Sequence, residues 1–395
     1  MIYVSRPQAA SESPGVLRSL LLDGPGSRAE LSRRLKINQM RISREVYPLI
    51  NSGLVREGPT EGLGRGRPGK VLQLAVHSNL VAGFKVRDFR ITGTLTNMRA
   101  QVLAECELSM VRHTPKKVVE SVKQCLDMLL VQSSIARQDL LGVGVGFSGL
   151  VDIDRGVLES SPFLGWQDVQ IRRLLAEALL LPVFIDNDVN TLALAELWFG
   201  DVTGARDSLI VTTGQGIGLS VIKSGRVLRI PGEFGHTQVS SSDKECICGN
   251  SGCLEATAGE SALLESANQL FHDRPLKTVS EVYELALTDP RIHDILDMAA
   301  EELGRGLANM INIFRPTTIF LAGEGLAAGA YYARKVEQAA NTRCHPSLRG
   351  SYRFAINKLP DVAWARGAAS LALHAVFDED QFSKLQEQIH LKANQ

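Results

Sequence analysis

The segment Val183-Phe184-Ile185-Asp186-Asn187-Asp188-Val189-Asn190 passes within a few residues from an apolar run into an Ala-rich stretch. Val183 to Asp186 reads as a short buried strand, and the residues after it open a helix. Asn187 and Asp188 therefore stand at a strand end, one amide beside one carboxylate. Upstream, Leu140 to Gly146 is a second buried strand, separated from the first by a predicted helix over Ile171 to Leu180. Before it lie three strands in a meander (Leu80 to Val86, Arg90 to Thr96, Gln101 to Leu108) and a helix near Lys116 to Val131. A similar order recurs: Ser208 to Thr213, Gly216 to Ile222 and Arg226 to Ile230 form a second three-strand start, and Thr318 to Ala322 is a later buried strand bounded by Gly323. Duplicated halves of this kind predict an α/β chain of two lobes with a ligand cleft between them.

The chain has 395 residues, 44% hydrophobic and 22% charged, which excludes a disordered or fibrous protein and supplies two or three cores. Its longest apolar run, Ala178 to Ile185, is broken by Pro182 and is too short to span a bilayer. Residues 1 to 15 lack the charged start and apolar stretch of a secretory signal, so the expected compartment is the cytoplasm. Six cysteines then argue against disulfides, and the crowding of Cys246, Cys248 and Cys253 into eight residues reads as a metal site. The net charge of zero hides an asymmetry: residues 1–75 carry twelve basic against six acidic residues, a net +6, which leaves −6 on the remainder. A basic end on an acidic body points to a module that binds a polyanion.

That end has its own pattern. Val16, Leu17, Leu20 and Leu21 have helical spacing, closed by Gly24 and Gly26. Ser27-Arg28-Ala29-Glu30 is a capping box that opens a second helix with Ala29, Leu31 and Leu35 turned inward. A third helix starts at Asn38, its apolar stripe formed by Ile42, Val46 and Leu49. The opposite face presents Met40, Arg41, Arg44 and Tyr47, long side chains suited to a major groove and its phosphates. Pro48 is expected to kink or end this helix near Tyr47. Leu54-Val55-Arg56 and Val71-Leu72-Gln73-Leu74 read as strands around the tip Gly64-Arg65-Gly66-Arg67-Pro68, giving a winged helix-turn-helix over residues 1–76 with Arg65 and Arg67 at the wing. A bland reading makes the same helices and hairpin a protein-interaction module.

Three motifs of the body, Asp186-Asn187-Asp188-Val189-Asn190, Gly232-Glu233-Phe234-Gly235-His236 and Cys246-Ile247-Cys248-Gly249-Asn250-Ser251-Gly252-Cys253-Leu254-Glu255, together resemble the ROK family of repressors, open reading frames and sugar kinases. The resemblance spans essentially the whole chain, the winged module included, and so points to the regulators that respond to xylose, glucose or N-acetylglucosamine. It implies an actin-like, ribonuclease-H-like fold: a first lobe over 77–189, a second over 190–361 with the metal motif, and a final helix over about 362–380 packed back on the first lobe. His236, Cys246, Cys248 and Cys253 form a Cys₃His set suited to one structural Zn²⁺, and all four match the family's zinc motif.

A sugar is held by carboxylates and amides that hydrogen-bond neighbouring hydroxyls in fixed directions. By resemblance Asn187, Asp188, Glu233, His236 and Glu255 match the family's sugar-contacting set, and Ser148-Gly149-Leu150-Val151-Asp152 matches the turn closing one side of the pocket. Phe163 stands where the family often has an Asn that contacts the sugar; it can stack on a sugar face but cannot make that hydrogen bond.

In the kinase branch Asp188 would be the general base, opposite a glycine-rich hairpin that holds ATP phosphates. The family's Asp-x-Gly-Gly-Thr loop falls on Lys85-Val86-Arg87-Asp88-Phe89, which has lost the acidic residue and both glycines. Gly214-Gln215-Gly216-Ile217-Gly218 keeps the second phosphate motif, and Gly323-Glu324-Gly325 partly matches the adenosine-side turn. With the first loop broken, no catalytic residue is assigned. The sequence thus reads as a sugar-responsive repressor that binds operator DNA as a homodimer or homotetramer, without membrane association. The other readings are a sugar kinase with an added DNA-binding module and a regulator controlled by a protein partner.

Overall fold

A computed structural model describes residues 15–61, 69–87, 89–111, 113–229, 232–240 and 242–377. Chain order begins with α1 (Val16–Leu22), β1 (Gly26–Ser27), α2 (Arg28–Leu35), α3 (Gln39–Asn51), β2 (Val55–Glu61) and β3 (Gly69–Leu74). Three short helices pack beside a small sheet of order β1-β3-β2. The capping box forms as the sequence predicts: Ser27 accepts from the Glu30 N–H while Glu30 reaches back to the Ser27 N–H. Asn38 caps α3 through the Arg41 N–H at 2.8 Å.

Two expectations fail in this module. Ala29 is exposed, because it lies about two residues, more than half a turn, from the Leu31–Leu35 stripe that faces the core. Pro48 does not end α3 near Tyr47, since the helix continues to Asn51. The ring removes only the bond to the Arg44 carbonyl, on an exposed face in the last turn, and the Pro48 carbonyl still accepts from Ser52 at 2.9 Å. Residues 62–68, which include the predicted wing tip with Arg65 and Arg67, lie outside the described residues.

The body contains two sheets of the same topology. The first consists of β4 (Leu80–Val86), β5 (Arg90–Asn97), β6 (Val102–Ser109), β7 (Leu140–Phe147) and β11 (Val183–Asn187), in the order β11-β7-β4-β5-β6. Helices α4 (Pro115–Ser133) and α5 (Ile171–Leu179) cover one of its faces, and β8 (Leu150–Asp152), β9 (Val157–Ser161) and β10 (Trp166–Val169) form a side sheet. After α6 (Asp188–Phe199) the second sheet repeats the plan with β12 (Ser208–Thr213), β13 (Ile217–Lys223), β14 (Arg226–Leu228), β15 (Thr318–Ala322) and β16 (Arg353–Ile356), ordered β16-β15-β12-β13-β14. Each sheet is an antiparallel meander whose first strand also pairs in parallel with the next long strand. Helices α7 (Leu254–Ala258), α8 (Glu260–Leu270), α9 (Val279–Leu285), α10 (Pro290–Phe314) and α11 (Gly329–Arg343) pack on the second sheet. Among the described residues no helix is long and apolar enough to cross a membrane.

The expectation of no disulfide is also corrected. Cys106 on β6 and Cys125 on α4 are bonded, their Cα atoms 6.2 Å apart, where helix and sheet pack face to face.

The last helix, α12 (Asp361–Phe377), lies on the other face of the first sheet and also packs on α6. All seven residues of β4 are buried because α4 and α12 sandwich the strand. A side chain is not tolerated where α12 crosses: a Cβ at Gly83 would stand 2.1 Å from the Ala365 carbonyl oxygen, and one at Gly144 would stand 1.8 Å from that of Ala368. Gly144→Ala should therefore cost about 3 kcal/mol, the upper end of overpacking penalties, since the obstacle is helix backbone and not a movable side chain. Gly232→Ala, with open space around it, should cost under about 1 kcal/mol. Urea midpoints of the two variants check the contrast.

Candidate functional site

The end of β11 and the start of α6 set one wall of an interlobe cleft of about 240 Å³. Asn187 caps α6, its Oδ1 accepting from the Val189 N–H at 2.9 Å, while its Nδ2 donates to the Gly149 carbonyl at 3.1 Å. Gly149 has φ +118°, and a Cβ there would meet the Ser160 carbonyl at 2.2 Å, so only glycine fits this turn. Asp188 is 7% exposed at the first position of α6, where the helix dipole and the Val189 N–H at 2.8 Å favour a carboxylate.

The opposite wall comes from the second lobe. Glu233 and His236 flank the short turn at Phe234–His236, and Glu255 opens α7. Glu255 accepts from the Ile217 N–H at 3.1 Å, and burial raises its carboxyl. Burial, followed by the nearby Glu255, pushes the Glu233 carboxyl up to about 7. Its Oε1 is buried with no hydrogen-bond partner among the described residues. An orphaned carboxylate oxygen facing a polar cleft is what a hydroxyl-bearing ligand would satisfy. Phe163 reaches across to the second lobe, since a Cβ at Gly216 would stand 3.5 Å from its ring. The structure thus brings Asn187, Asp188, Glu233, His236 and Glu255 to one cleft, with Gly149 on its rim.

Two basic residues that sequence reasoning only recorded as losses are central here. Lys85 of β4, 6% exposed, forms a buried ion pair with Asp188 and lies over the Trp364 ring at 4.8 Å. Burial and then the Arg87 cation pull its amine well below the ordinary range, with Asp361 opposing. With the Lys85 amine on its carboxylate, Asp188 is not a free base. Arg87 reaches from the first lobe to Glu324 of the second and lies 3.7 Å from Asp361. Glu324 in turn stands against the Gly214–Gly218 turn, since a Cβ at Gly214 would lie 2.7 Å from its carboxylate. Asp88 lies outside the described residues. Basic residues in a strand-to-turn stretch were the available signal; their acidic partners, 103 and 237 positions away for Lys85 and Arg87, were not.

His236, Cys246, Cys248 and Cys253 converge, with their ligand atoms all within 4.8 Å of one another. Cys248 and Cys253 sulfurs are 3.7 Å apart, and Cys246 Sγ is 3.3 Å from His236 Nδ1. Tetrahedral ligands at about 2.3 Å from one ion would have sulfurs separated by about 3.8 Å, so the spacing fits a metal. Gly249 at φ +90° and Gly252 at φ +71° make the turns that fold the loop back. The thiols fit too, because burial and the neighbouring sulfurs push Cys253 up to about 12, a cost that a cation removes.

The basic module stands apart from the cleft. On α3, Met40 and Tyr47 are 83% and 69% exposed, with Arg41 and Arg44 on the same outer face. Arg41 pairs with Glu45 at 2.7 Å. The link missed in the sequence is α6 itself: its first residues line the cleft, and at its far end the Trp198 ring carries the Arg18 guanidinium of α1 at 5.5 Å. Trp198 also packs on His374 and Phe377 of α12.

Residues 87–375 match the family described as ROK. The chain is 28% identical to the xylose repressor of Caldicellulosiruptor bescii over 385 residues, covering 91% of this chain and 94% of that protein. It is 25% identical to the DNA-binding transcriptional dual regulator NagC of Escherichia coli, with 93% of each covered. Among solved structures, a ROK family transcriptional regulator homologous to the E. coli MLC protein superposes with TM-score 0.83 at 23% identity, covering 94% of this chain and 97% of its own. A ROK hexokinase from Thermus thermophilus superposes with TM-score 0.65 at 30% identity, covering 76% of this chain and 99% of its own.

Removing one member of the Lys85–Asp188 pair should be worse than removing both. Lys85→Met leaves a buried carboxylate without its counter-charge and should cost about 3–5 kcal/mol, whereas Lys85→Met with Asp188→Asn should recover most of that loss. Chemical denaturation of the two single variants and the double variant closes the cycle.

Proposed function

The chain belongs to the ROK family, and on that footing we propose that it is a sugar-responsive, DNA-binding transcriptional repressor. We divide it into a winged helix-turn-helix over 1–76, a first lobe of actin-like fold over 77–189 completed by the helix at about 362–380, and a second lobe over 190–361. The observation that carries the reading is α6, which begins in the cleft with Asp188 and ends on the basic module's first helix through Trp198 and Arg18. A kinase has no need of that connection; a sensor does.

In this reading a sugar binds through Asn187, Asp188, Glu233, His236 and Glu255, and Phe163 stacks on one of its faces. The orphaned Glu233 oxygen supports a hydroxyl donor at that point. The α3 residues Arg41, Arg44 and Tyr47, with Arg65 and Arg67 from the wing, contact operator DNA. A short recognition helix favours a homodimer or homotetramer on symmetric half-sites. DNA as the target places the protein in the cytoplasm. Lys85 disfavours phosphoryl transfer, because its contact on Asp188 neutralises the position a kinase would use as its base. Arg87 and Glu324 meet where nucleotide phosphates would need close backbone approach.

The donor set is proposed to hold one Zn²⁺ per chain. When bound, the ion supplies a closed structural tether, with no coordination position left for a reactant. His236 uses Nδ1 in the metal cluster and leaves the opposite ring nitrogen for a ligand in the cleft. Elemental analysis should find one zinc per chain, and Cys248→Ala should release it and weaken sugar binding; folded, sugar-binding protein free of metal would remove the assignment.

Sugar identity is set by a thermal-shift panel, and an operator is selected from random DNA. Saturating sugar should then change operator affinity by roughly 5- to 150-fold. Glu233→Gln should lose the response by losing the sugar, and Trp198→Ala should bind sugar but respond less. Equal operator affinity with and without a demonstrably bound sugar would refute the direct switch.

A further inference from the structure

Beside the cleft lies a second chamber of about 320 Å³ whose chemistry the function proposed above does not use. The two share only Gly149 and Asn187, so the hydrogen bond between those residues is the partition. Its walls combine Asp152 and Asp154 from the β8 turn, Glu159 of β9, Asp186 and Asn190 at the β11–α6 junction, and Arg229 from the second lobe. Asp186 is 3% exposed and organises the floor: its Oδ1 accepts from Asn190 Nδ2 at 3.0 Å and from the Asn187 N–H at 2.7 Å, and its Oδ2 faces Arg229 Nε at 3.7 Å. Asp152 and Glu159 lie 3.7 and 3.5 Å from Arg155, an exposed residue, which leaves carboxylate lone pairs for other donors.

Acceptors, an amide and one guanidinium at fixed positions are the equipment for a neutral, hydroxyl-rich ring. An anionic group is disfavoured, because carboxylates outnumber the single cation. An apolar ligand would strip water from Asp152, Asp154 and Glu159 without replacing its hydrogen bonds.

We propose that this chamber binds a neutral sugar ring next to the sugar of the main cleft. The ring comes either as the second unit of a disaccharide that spans the partition or as a second monosaccharide. The inference rests on the sugar reading of the cleft, and it extends that reading from a single ring to a pair.

Calorimetry of the full chain separates the possibilities, using D-glucose, D-xylose and N-acetylglucosamine against cellobiose, maltose, xylobiose and diacetylchitobiose. A disaccharide that binds at least about tenfold tighter than its monosaccharide supports the first source, and two monosaccharides per chain support the second. In either case Glu159→Gln with Arg229→Ala, which leaves every residue of the main cleft in place, should abolish the tenfold gain or the second equivalent. It should leave the first monosaccharide's affinity unchanged. One monosaccharide per chain with no disaccharide binding more tightly overturns the chamber and leaves the cleft reading standing. A gain or second equivalent that survives the double variant overturns it as well. If no sugar of either kind binds, the reading of the cleft falls and the chamber falls with it.

Discussion

The rest of the molecule depends on a close approach of two backbones: α12 lies directly on β4 and β7 at Gly83 and Gly144, where no side chain on the strand would fit. The helix can approach so closely because its own face is small, built from Ala365, Ala368, Ala369 and Ala372, all buried. Gly367 repeats the device on the other side, where a Cβ would stand 3.0 Å from the Thr191 and Leu192 backbone of α6. Sheet, last helix and α6 are therefore held in one register. The outer end of α12 adds Leu373, Val376 and Phe377 to the same apolar cluster as Leu17, Leu20 and Leu31 of the amino-terminal helices. One helix of the described body thus meets the first sheet, the cleft-bearing helix and the basic module together.

That packing brings charge into a place where it must be balanced. Asp188 is buried at the start of α6, and Lys85 projects from β4 directly opposite, so each offsets the desolvation of the other. Trp364, on α12, closes over the amine. Beside this pair, Arg87 reaches Glu324 and lies near Asp361. Of these ion pairs Arg87–Glu324 joins the two lobes, and the carboxylate side of the cleft with Glu233 and Glu255 stays open. A cleft of about 240 Å³ is smaller than most pockets for drug-sized ligands, roughly 300 Å³ and upward, which suits a single small ring.

The legible parts of the sequence were those set by local or periodic chemistry. Strand runs such as Leu80 to Val86, the caps at Ser27 and Asn38, and the Cys₃His cluster follow from residue type and spacing, and the structure forms each of them. Asn187, Asp188, Glu233, His236 and Glu255 were legible by family resemblance and do meet in one cleft. What escaped were contacts that pair distant residues. Nothing beside Lys85 announces Asp188, and nothing beside Arg18 announces Trp198; these meet only after the sheet and α12 are assembled. Cys106 and Cys125, 19 positions apart, were misread for the same reason, and Pro48 was overweighted because its cost depends on how much helix follows it.

The same assembly bears on how a bound sugar could act at a distance. A helix of 12 residues spans about 18 Å, and it transmits displacement only if it moves as a unit. Helix α6 is buried along most of its length, so it has little room to bend, and its two ends differ in what holds them. At the cleft end Asp188 is held by Lys85 and Asn187 by Gly149, polar contacts with which a ligand hydroxyl can compete. The far end has the Trp198 ring between α12 and Arg18, an apolar packing that must follow the backbone. A ligand can bias this arrangement only through a difference in its contacts between two positions of the helix. The contacts that a ligand in the cleft can reach are those at the cleft end, so that is where the proposed effector would set the balance, and Arg18 is where the basic module would register it.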